Sequence, residues 1–223
     1  NLASGKEVTV TLVKAGTATE TSDYSITGLS ISIPAGTLAG SITVTSIGDV
    51  ITEPDETVIF DIDTTTNTQE QGTQQKTVII ANDDPIPTVT LTVGVGAGNI
   101  TITEGSSATT TATTTVTATL SNQTSSVVTI NLGKTGTATD GSDYTLSGGN
   151  VISIPAFTLS ASVTLTTVGD VFDETNETVI IDITSLTNAT ELGGVQQKTV
   201  TIADDDATPT VTLSADNSSI NES

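Results

Sequence analysis

The chain has 223 residues, with 26 Asp and Glu against 5 Lys and Arg, no His and no Cys, giving a formal charge of −21. So acidic a surface repels nucleic acid and anionic membranes, and the missing Cys and His exclude disulfides, thiolate zinc sites, and imidazole bases or ligands. Cations are the natural partners, and any metal must be held by oxygen.

No run approaches the roughly 18 apolar residues of a spanning helix, and no basic leader precedes an apolar segment. The chain therefore reads as a soluble, already processed segment of something longer, with no direct membrane insertion expected.

The strongest organising signal is an internal repeat. Gly16-Thr-Ala-Thr-Glu-Thr-Ser-Asp-Tyr24 returns as Gly136-Thr-Ala-Thr-Asp-Gly-Ser-Asp-Tyr144, Ile31-Ser-Ile-Pro-Ala35 as Ile152-Ser-Ile-Pro-Ala156, and Gln74-Gln-Lys-Thr-Val78 as Gln196-Gln-Lys-Thr-Val200. These offsets (136 − 16, 152 − 31, 196 − 74) run from 120 to 122 residues. Stacked solenoid repeats run at about 20 to 50 residues, whereas one β-sandwich takes about 100, so each period is a whole domain.

Pro87-Thr-Val-Thr-Leu91 returns as Pro209-Thr-Val-Thr-Leu213, and Ile102-Thr-Glu104 as Ile220-Asn-Glu222. Three domains are expected: 1–84, without counterparts of 87 to about 120; a complete unit at 87–206; and the first strand of a further repeat at 209–223.

Within the complete unit the apolar period is that of strands. Over 108–120, the odd positions from Thr109 to Thr119 alternate with Ala108, Ala112, Val116, Ala118 and Leu120, as in a half-buried antiparallel strand. Similar alternation or β-branched runs predict strands at 87–93, 126–133, 150–154, 160–168, 177–184 and 196–203, separated by Gly, Asn, Asp, Ser and Pro turns. Seven short strands and no helix predict an all-β fold, each unit a two-sheet sandwich with Greek-key connections. With aromatics at 2% of the chain and no Trp or Met, the core must be Val, Ile and Leu. Tyr24 and Tyr144, the two tyrosines, sit at equivalent positions and are expected to bury their rings and bond a backbone group through the hydroxyl.

The acids fall beside strand ends. In the complete unit these are Glu104, Asp143, Asp170, Glu174, Glu177, and the run Asp204, Asp205, Asp206. Loops between alternate strand pairs of a Greek-key sandwich share one end, so these groups are expected to converge. Two like charges 4 Å apart repel by about 4 kcal/mol at an effective dielectric of 20. A hard divalent cation relieves that repulsion, and calcium tolerates six to eight oxygens in loose geometry. Charge alone leaves a solvated, aggregation-resistant acidic turn equally open.

The ordered set of a GTATxxSDY loop, ISIPA, GDVxxExxxET or its variant, a strand ending in DDD, and PTVTLS resembles the Calx-beta domain family. The resemblance implies tandem seven-stranded, immunoglobulin-like Greek-key β-sandwiches that bind calcium at one tip. It places candidate ligands at Glu104, Asp143, Asp170, Glu174, Glu177, Asp204, Asp205 and Asp206, with the carbonyl of Phe172 as a main-chain ligand, and in the first unit at Asp23, Asp49, Glu53, Glu56, Asp83 and Asp84. Exchanger modules that bind several ions have an acidic run where this chain has Ile47-Gly48-Asp49-Val50 and Val168-Gly169-Asp170-Val171, and Asn82 replaces the first aspartate of the triplet. About one to three calcium ions are expected in the complete unit, with a weaker or incomplete site in the first.

No enzyme is expected. Paired carboxylates can cleave glycosides, but aromatic sugar platforms, His, Cys and a phosphate loop are all missing from the sequence. A Thr ladder for ice or carbohydrate is a minor alternative, because one Thr row is ordinary strand composition. The expected function is a calcium-binding tandem stalk of a large extracellular or cell-surface adhesin or filament, with calcium stiffening the junctions. Its partners would be calcium ions, neighbouring repeats and other copies of the chain in a filament. The alternative is a calcium-sensing regulatory module of a membrane or signalling protein.

Overall fold

A computed structural model describes residues 3–96, 98–107, 109–194, 196–216 and 219. Ala108 of the expected Thr strand and the Ile220-Asn-Glu222 motif lie outside the described residues. The chain divides into two compact units, Asn1–Ile86 with Asn122–Ser125, and Pro87–Ser121 with Ser126–Ser223. Among the described residues every regular element is a strand.

In the first unit the strands are β1 (Val8–Gly16), β2 (Tyr24–Ile26), β3 (Ser30–Ile33), β4 (Val44–Ser46), β5 (Glu56–Thr66) and β6 (Gln75–Ile80). They form a sheet in the order β3-β1-β5-β6 and a separate β2-β4 pair. Its core is small: Tyr24, Val58 and Phe60 are buried, with half-buried neighbours such as Leu12 and Val78.

The second unit continues with β7 (Thr88–Val93), β8 (Ile100–Thr103), β9 (Thr113–Leu120), β10 (Val128–Gly136), β11 (Tyr144–Leu146), β12 (Val151–Ile154), β13 (Ser160–Thr167), β14 (Glu177–Thr187), β15 (Thr190–Glu191) and β16 (Lys198–Ala203). Two five-stranded sheets, β12-β10-β14-β16-β8 and β11-β13-β9-β7-β15, make the sandwich. All seven expected strands are present, and the short β8, β11 and β15 are additional. The Thr strand begins at Thr113 rather than at 108, and from there it alternates: Thr114, Val116, Ala118 and Leu120 are buried while Thr113, Thr115 and Thr119 are exposed.

The core between the sheets is almost wholly aliphatic, including Val89, Leu91, Ile130, Ile154, Leu165, Ile181 and Val200. Each such side chain contributes roughly 1.5–3 kcal/mol on burial.

The two repeats share backbone detail. A bulge interrupts the pairing of β1 with β5 at Thr11/Leu12 and that of β10 with β14 at Asn131/Leu132. Gly16 and Gly136 have φ of 122° and 120°, and a Cβ on either would lie 2.1 Å from the carbonyl oxygen of Thr57 or Thr178. Only glycine fits a positive φ with so close an approach, and this turn launches the loop that carries Asp23 or Asp143.

Both tyrosine rings are buried, as expected. The hydroxyl of Tyr24 differs from expectation in its partner, since it accepts from Lys14 Nζ at 3.3 Å. Lys14 and Lys134 lie 5.5 and 5.9 Å from the ring centroids of Tyr24 and Tyr144 and pair with Glu20 and Asp140. A long lysine stem from β1, in the other sheet, reaches the hydroxyl that a main-chain group was expected to meet.

Candidate metal centre

The acids of each repeat gather at one tip because the strands that carry them end there. In the first unit the loop after β1 presents Asp23, the loop before β5 presents Asp49 and Glu53, β5 opens with Glu56, and the exit from β6 presents Asp83 and Asp84. All six line one small pocket of about 50 Å³, together with Asn82, Ile47, Gly48 and Ile51. One carboxylate oxygen from each of Asp23, Glu53 and Glu56 lies within 4.8 Å of the others. Among the described residues no other acidic trio is gathered so tightly.

Hydrogen bonds hold the loops in place. Asp23 Oδ2 accepts from the Thr19 amide at 2.5 Å, Asp49 Oδ1 from the Ile51 amide at 2.7 Å, and Asn82 Oδ1 from the Glu53 amide at 3.0 Å. The second unit repeats the pattern. Asp143 Oδ2 accepts from the Thr139 amide at 2.5 Å, Asp170 Oδ1 from the Phe172 amide at 2.7 Å, and Asp204 Oδ1 from the Glu174 amide at 3.2 Å. Phe172 itself has an exposed side chain, so its place at the tip is set by main chain. Asp205 Oδ1 accepts from the Gly105 amide at 3.0 Å, tying the exit of β16 to the end of β8. Glu104 is buried at 7% exposure; its amide donates to the Ala203 carbonyl and its carbonyl accepts from Thr167 Oγ1.

The electrostatics show the same convergence. Burial, then the charges of Asp170 and Glu174, raise Glu104 above the ordinary carboxylate range, against an opposing hydrogen bond from the Asp170 amide. Burial and a hydrogen bond to Asp143, with the charges of Asp143, Glu174 and Glu104, push Glu177 up to about 7. Glu56 is likewise pushed up to about 7 by burial and its hydrogen bond to Asp23. Glu53 is raised by burial and then by Asp23, Asp49 and Asp84, and Asp84 by burial and then by Asp83 and Asp49. Asp206 is raised by lost hydration, then by Asp205, Asp204, Asp170 and Asp173. At the second tip Glu104, Glu177 and Asp206 are thus raised, and each of Asp143, Asp170, Glu174, Asp204 and Asp205 contributes to one of those shifts.

Two features escaped sequence reasoning. Asp173 acts on Asp206 but has Thr52 as its counterpart, so a search for repeated acids passes over it. Asp55 and Asn176 also hold the tips: Asp55 Oδ1 accepts from the Asn82 amide at 3.0 Å and Asn176 Oδ1 from the Asp204 amide at 3.1 Å. The repeats exchange Asp and Asn between these two positions, so that each site keeps one charge per pair. Asn82, which reads from sequence as a lost ligand, has the same main-chain role as Asp204.

The donor set fits a hard cation. Oδ2 of Asp206 is shielded from solvent without a hydrogen-bond partner, a position that favours a cation meeting it. An all-oxygen set on loops, with main chain interleaved, suits calcium better than the strict octahedron of magnesium.

A family model for the Calx-beta domain matches residues 2–84 and 90–206. The chain belongs to the Calx-beta domain family. No curated protein sequence matches it. Among solved structures, the apo-form Calx CBD1 domain is similar at 19% identity and a TM-score of 0.43, covering 55% of this chain and 100% of that one. CBD12 from CALX1.2 is similar at 17% identity and a TM-score of 0.34, covering 82% of this chain and 69% of that one. The calcium binding domain CBD12 of CALX1.1 gives 17% and 0.32, covering 85% and 71%. In a Calx-beta unit of this chain, Glu56 or Glu177 opens the strand after the acidic loop and Asp83–Asp84 or Asp204–Asp206 closes the last, so both ends of the site are fixed by sheet pairing.

Proposed function

We propose that this chain is a tandem calcium-binding stalk segment of a large extracellular or cell-surface adhesin or filament. Its units are a partial Calx-beta domain at 1–84, a complete one at 87–206 and the opening strand of another at 209–223. The observation that carries calcium binding is the gathering of six acids around one 50 Å³ pocket in the first unit; at the second tip the matching acids influence one another through their charges. Glu104, Asp143, Asp170, Glu174, Glu177 and Asp204–Asp206, with the Phe172 carbonyl, hold the ion in the complete unit. Asp23, Asp49, Glu53, Glu56, Asp83 and Asp84 hold it in the first.

Calcium supplies the positive charge that lets these carboxylates stay ionised together; the chain's own residues orient it and exclude other chemistry. The reading is of a binding and structural module rather than a catalyst. Cys-free, Thr-rich tandem repetition supports the stalk, as does the short linker from Asp206 to Pro209, where metal would restrain the exit of one unit. The Pro85 and Pro87 pair limits the preceding linker in the same way.

Calorimetric titration of the chain with calcium, with thermal unfolding in chelator and in millimolar calcium, tests the binding. Heat of binding with a marked rise in Tm is expected, and neither would leave the acids as solvated charge. Small-angle scattering with and without chelator tests the stalk. A calcium-dependent lengthening is expected, and an unchanged maximum dimension would remove the stiffening.

A further inference from the structure

Two of the chain's five cationic residues stand where a strand would ordinarily carry an apolar side chain. Lys134 follows Val128, Ile130 and Leu132 on the inward face of β10 and lies opposite the fully buried Ile181 of β14. Lys14 takes the same place on β1, after Val8, Val10 and Leu12 and opposite the buried Phe60 of β5. A charge at an inward position is costly unless only its stem is covered and its head reaches a partner. Both lysines meet that condition: Lys134 pairs with Asp140 and Lys14 with Glu20, each beside the ring of the tyrosine that follows.

These partners belong to the loop that carries a candidate metal ligand. In the second unit it leaves β10 at Gly136 and ends at Tyr144 on β11, in the opposite sheet. Asp140 is bridged to Tyr144, and the Gly141 amide donates to the Tyr144 carbonyl at 2.8 Å. Asp143 sits inside this closed turn, where Oδ2 accepts from the Thr139 amide at 2.5 Å and its carbonyl accepts from the Val168 amide at 2.9 Å. The first unit repeats each contact with Glu20, Thr21, Asp23, Tyr24 and Ile47 in the matching places. The acid changes from glutamate to aspartate between the repeats, yet its pair with lysine is kept.

We propose that Lys14 and Lys134 are positioning residues for Asp23 and Asp143: each ammonium holds the middle of the loop and the start of the next strand against its own sheet, and so fixes where the ligand carboxylate points. Neither lysine is itself a ligand. The proposal rests on the calcium reading for what that carboxylate meets, but not for the clamp.

Charge and position predict opposite signs. Lys134→Met keeps the unbranched stem and removes a positive charge, which by Coulomb's law alone strengthens the unit's hold on a cation. Asp140→Asn removes a negative charge, which alone weakens it. As a clamp, the pair gives one sign for both variants. Each is expected to weaken calcium binding by the second unit about tenfold, as loss of a ligand's outer partner does, and the double variant is expected to be no weaker than either. Lys134→Arg keeps charge and reach and is expected to recover most of the loss.

Calorimetric titration of the whole chain with calcium, set beside hydrogen exchange of the Thr139 and Val168 amides in chelator followed by NMR, is the test. In Lys134→Met, weaker binding by the second unit, unaltered binding by the first and faster exchange at these loop amides are expected, with the fold retained by circular dichroism. Second-unit affinity that is unchanged or raised, losses that add in the double variant, or exchange no faster than in the wild-type chain would overturn the proposal. A wild-type chain that takes up no calcium would overturn the calcium reading alone, and the exchange rates would still decide whether Lys134 holds the loop.

Discussion

Glu56 and Asp23 each bring a carboxylate oxygen within 4.8 Å of the other's, and burial together with the adjacent Asp23 or Asp143 raises Glu56 and Glu177 alike. Two carboxylates held this close repel when both are ionised, so without metal protonation of one relieves the repulsion that a cation would otherwise relieve. This fixes the sign of the pH dependence. Both glutamates are raised from an ordinary 4.5 to about 7 in the folded chain, so in that window the folded state binds more protons than the unfolded one. The calcium-free chain is therefore most stable near the lower end and loses stability as pH rises through about 7. In saturating calcium the proton is displaced, and stability is expected to hold or rise over the same range. Thermal melts from pH 4.5 to 8 in chelator and in calcium check this; a chelated Tm that climbs with pH would refute it. Glu177→Gln should remove part of the slope in the second unit, because its amide cannot titrate.

Asn82→Asp would restore the acidic triplet of the first repeat. Asn82 already accepts from the Glu53 amide and donates Nδ2 to the Asp84 carbonyl at 2.9 Å. The variant gains a charge, loses that donated bond, and faces Asp55 on its own amide. Calcium affinity of the first unit is expected to rise by about tenfold, in the range that ligand-shell changes produce, while Tm in chelator falls. An unchanged titration would show that position 82 is too far from the ion to matter.

The sandwich was legible because Thr, Val and Ile alternate at period two and because a whole domain recurs. The acids were legible as a set for the same reason: Asp143 and Glu177 repeat Asp23 and Glu56. Their hydrogen bonds were not, since position along a loop does not say which carboxylates turn toward each other. Asp173 was hidden because its counterpart in the first repeat is Thr52, and the reach of Lys14 to Tyr24 depends on how strands of two different sheets pack together.

Gly169 separates a required glycine from an incidental one. A Cβ there would lie 2.0 Å from the Gly105 carbonyl oxygen and 2.9 Å from that of Ser107, whereas Gly48, its counterpart, has nothing within 4 Å. Gly169→Ala must push apart the loop of Asp170 and the end of β8, at a cost of about 1–3 kcal/mol. Gly48→Ala is expected to stay within about 0.5 kcal/mol. Chemical denaturation of the two variants checks the asymmetry, and equal effects would contradict the packing of Gly169 against Gly105.

Thr167 offers a way to disturb the second site without touching an acid. Its side chain is fully buried, donates to the Glu104 carbonyl at 2.7 Å and accepts from the Ala112 amide at 2.8 Å. It thereby pins the segment that carries Glu104 to the end of β13. Thr167→Val keeps the shape but leaves a buried carbonyl and a buried amide short of these partners, costing about 1–3 kcal/mol for an unsatisfied group. Thr167→Ser keeps the hydroxyl and is expected to recover most of that loss. If Glu104 contributes to calcium binding, Thr167→Val also weakens the second unit's affinity while leaving the first unit's unchanged, because the counterpart there is Ser46 in a unit with no residue matching Glu104. Calorimetry resolving the two units, set beside denaturation of the Val and Ser variants, distinguishes a positioning role from plain core stability: loss of stability with unaltered affinity would confine Thr167 to the latter.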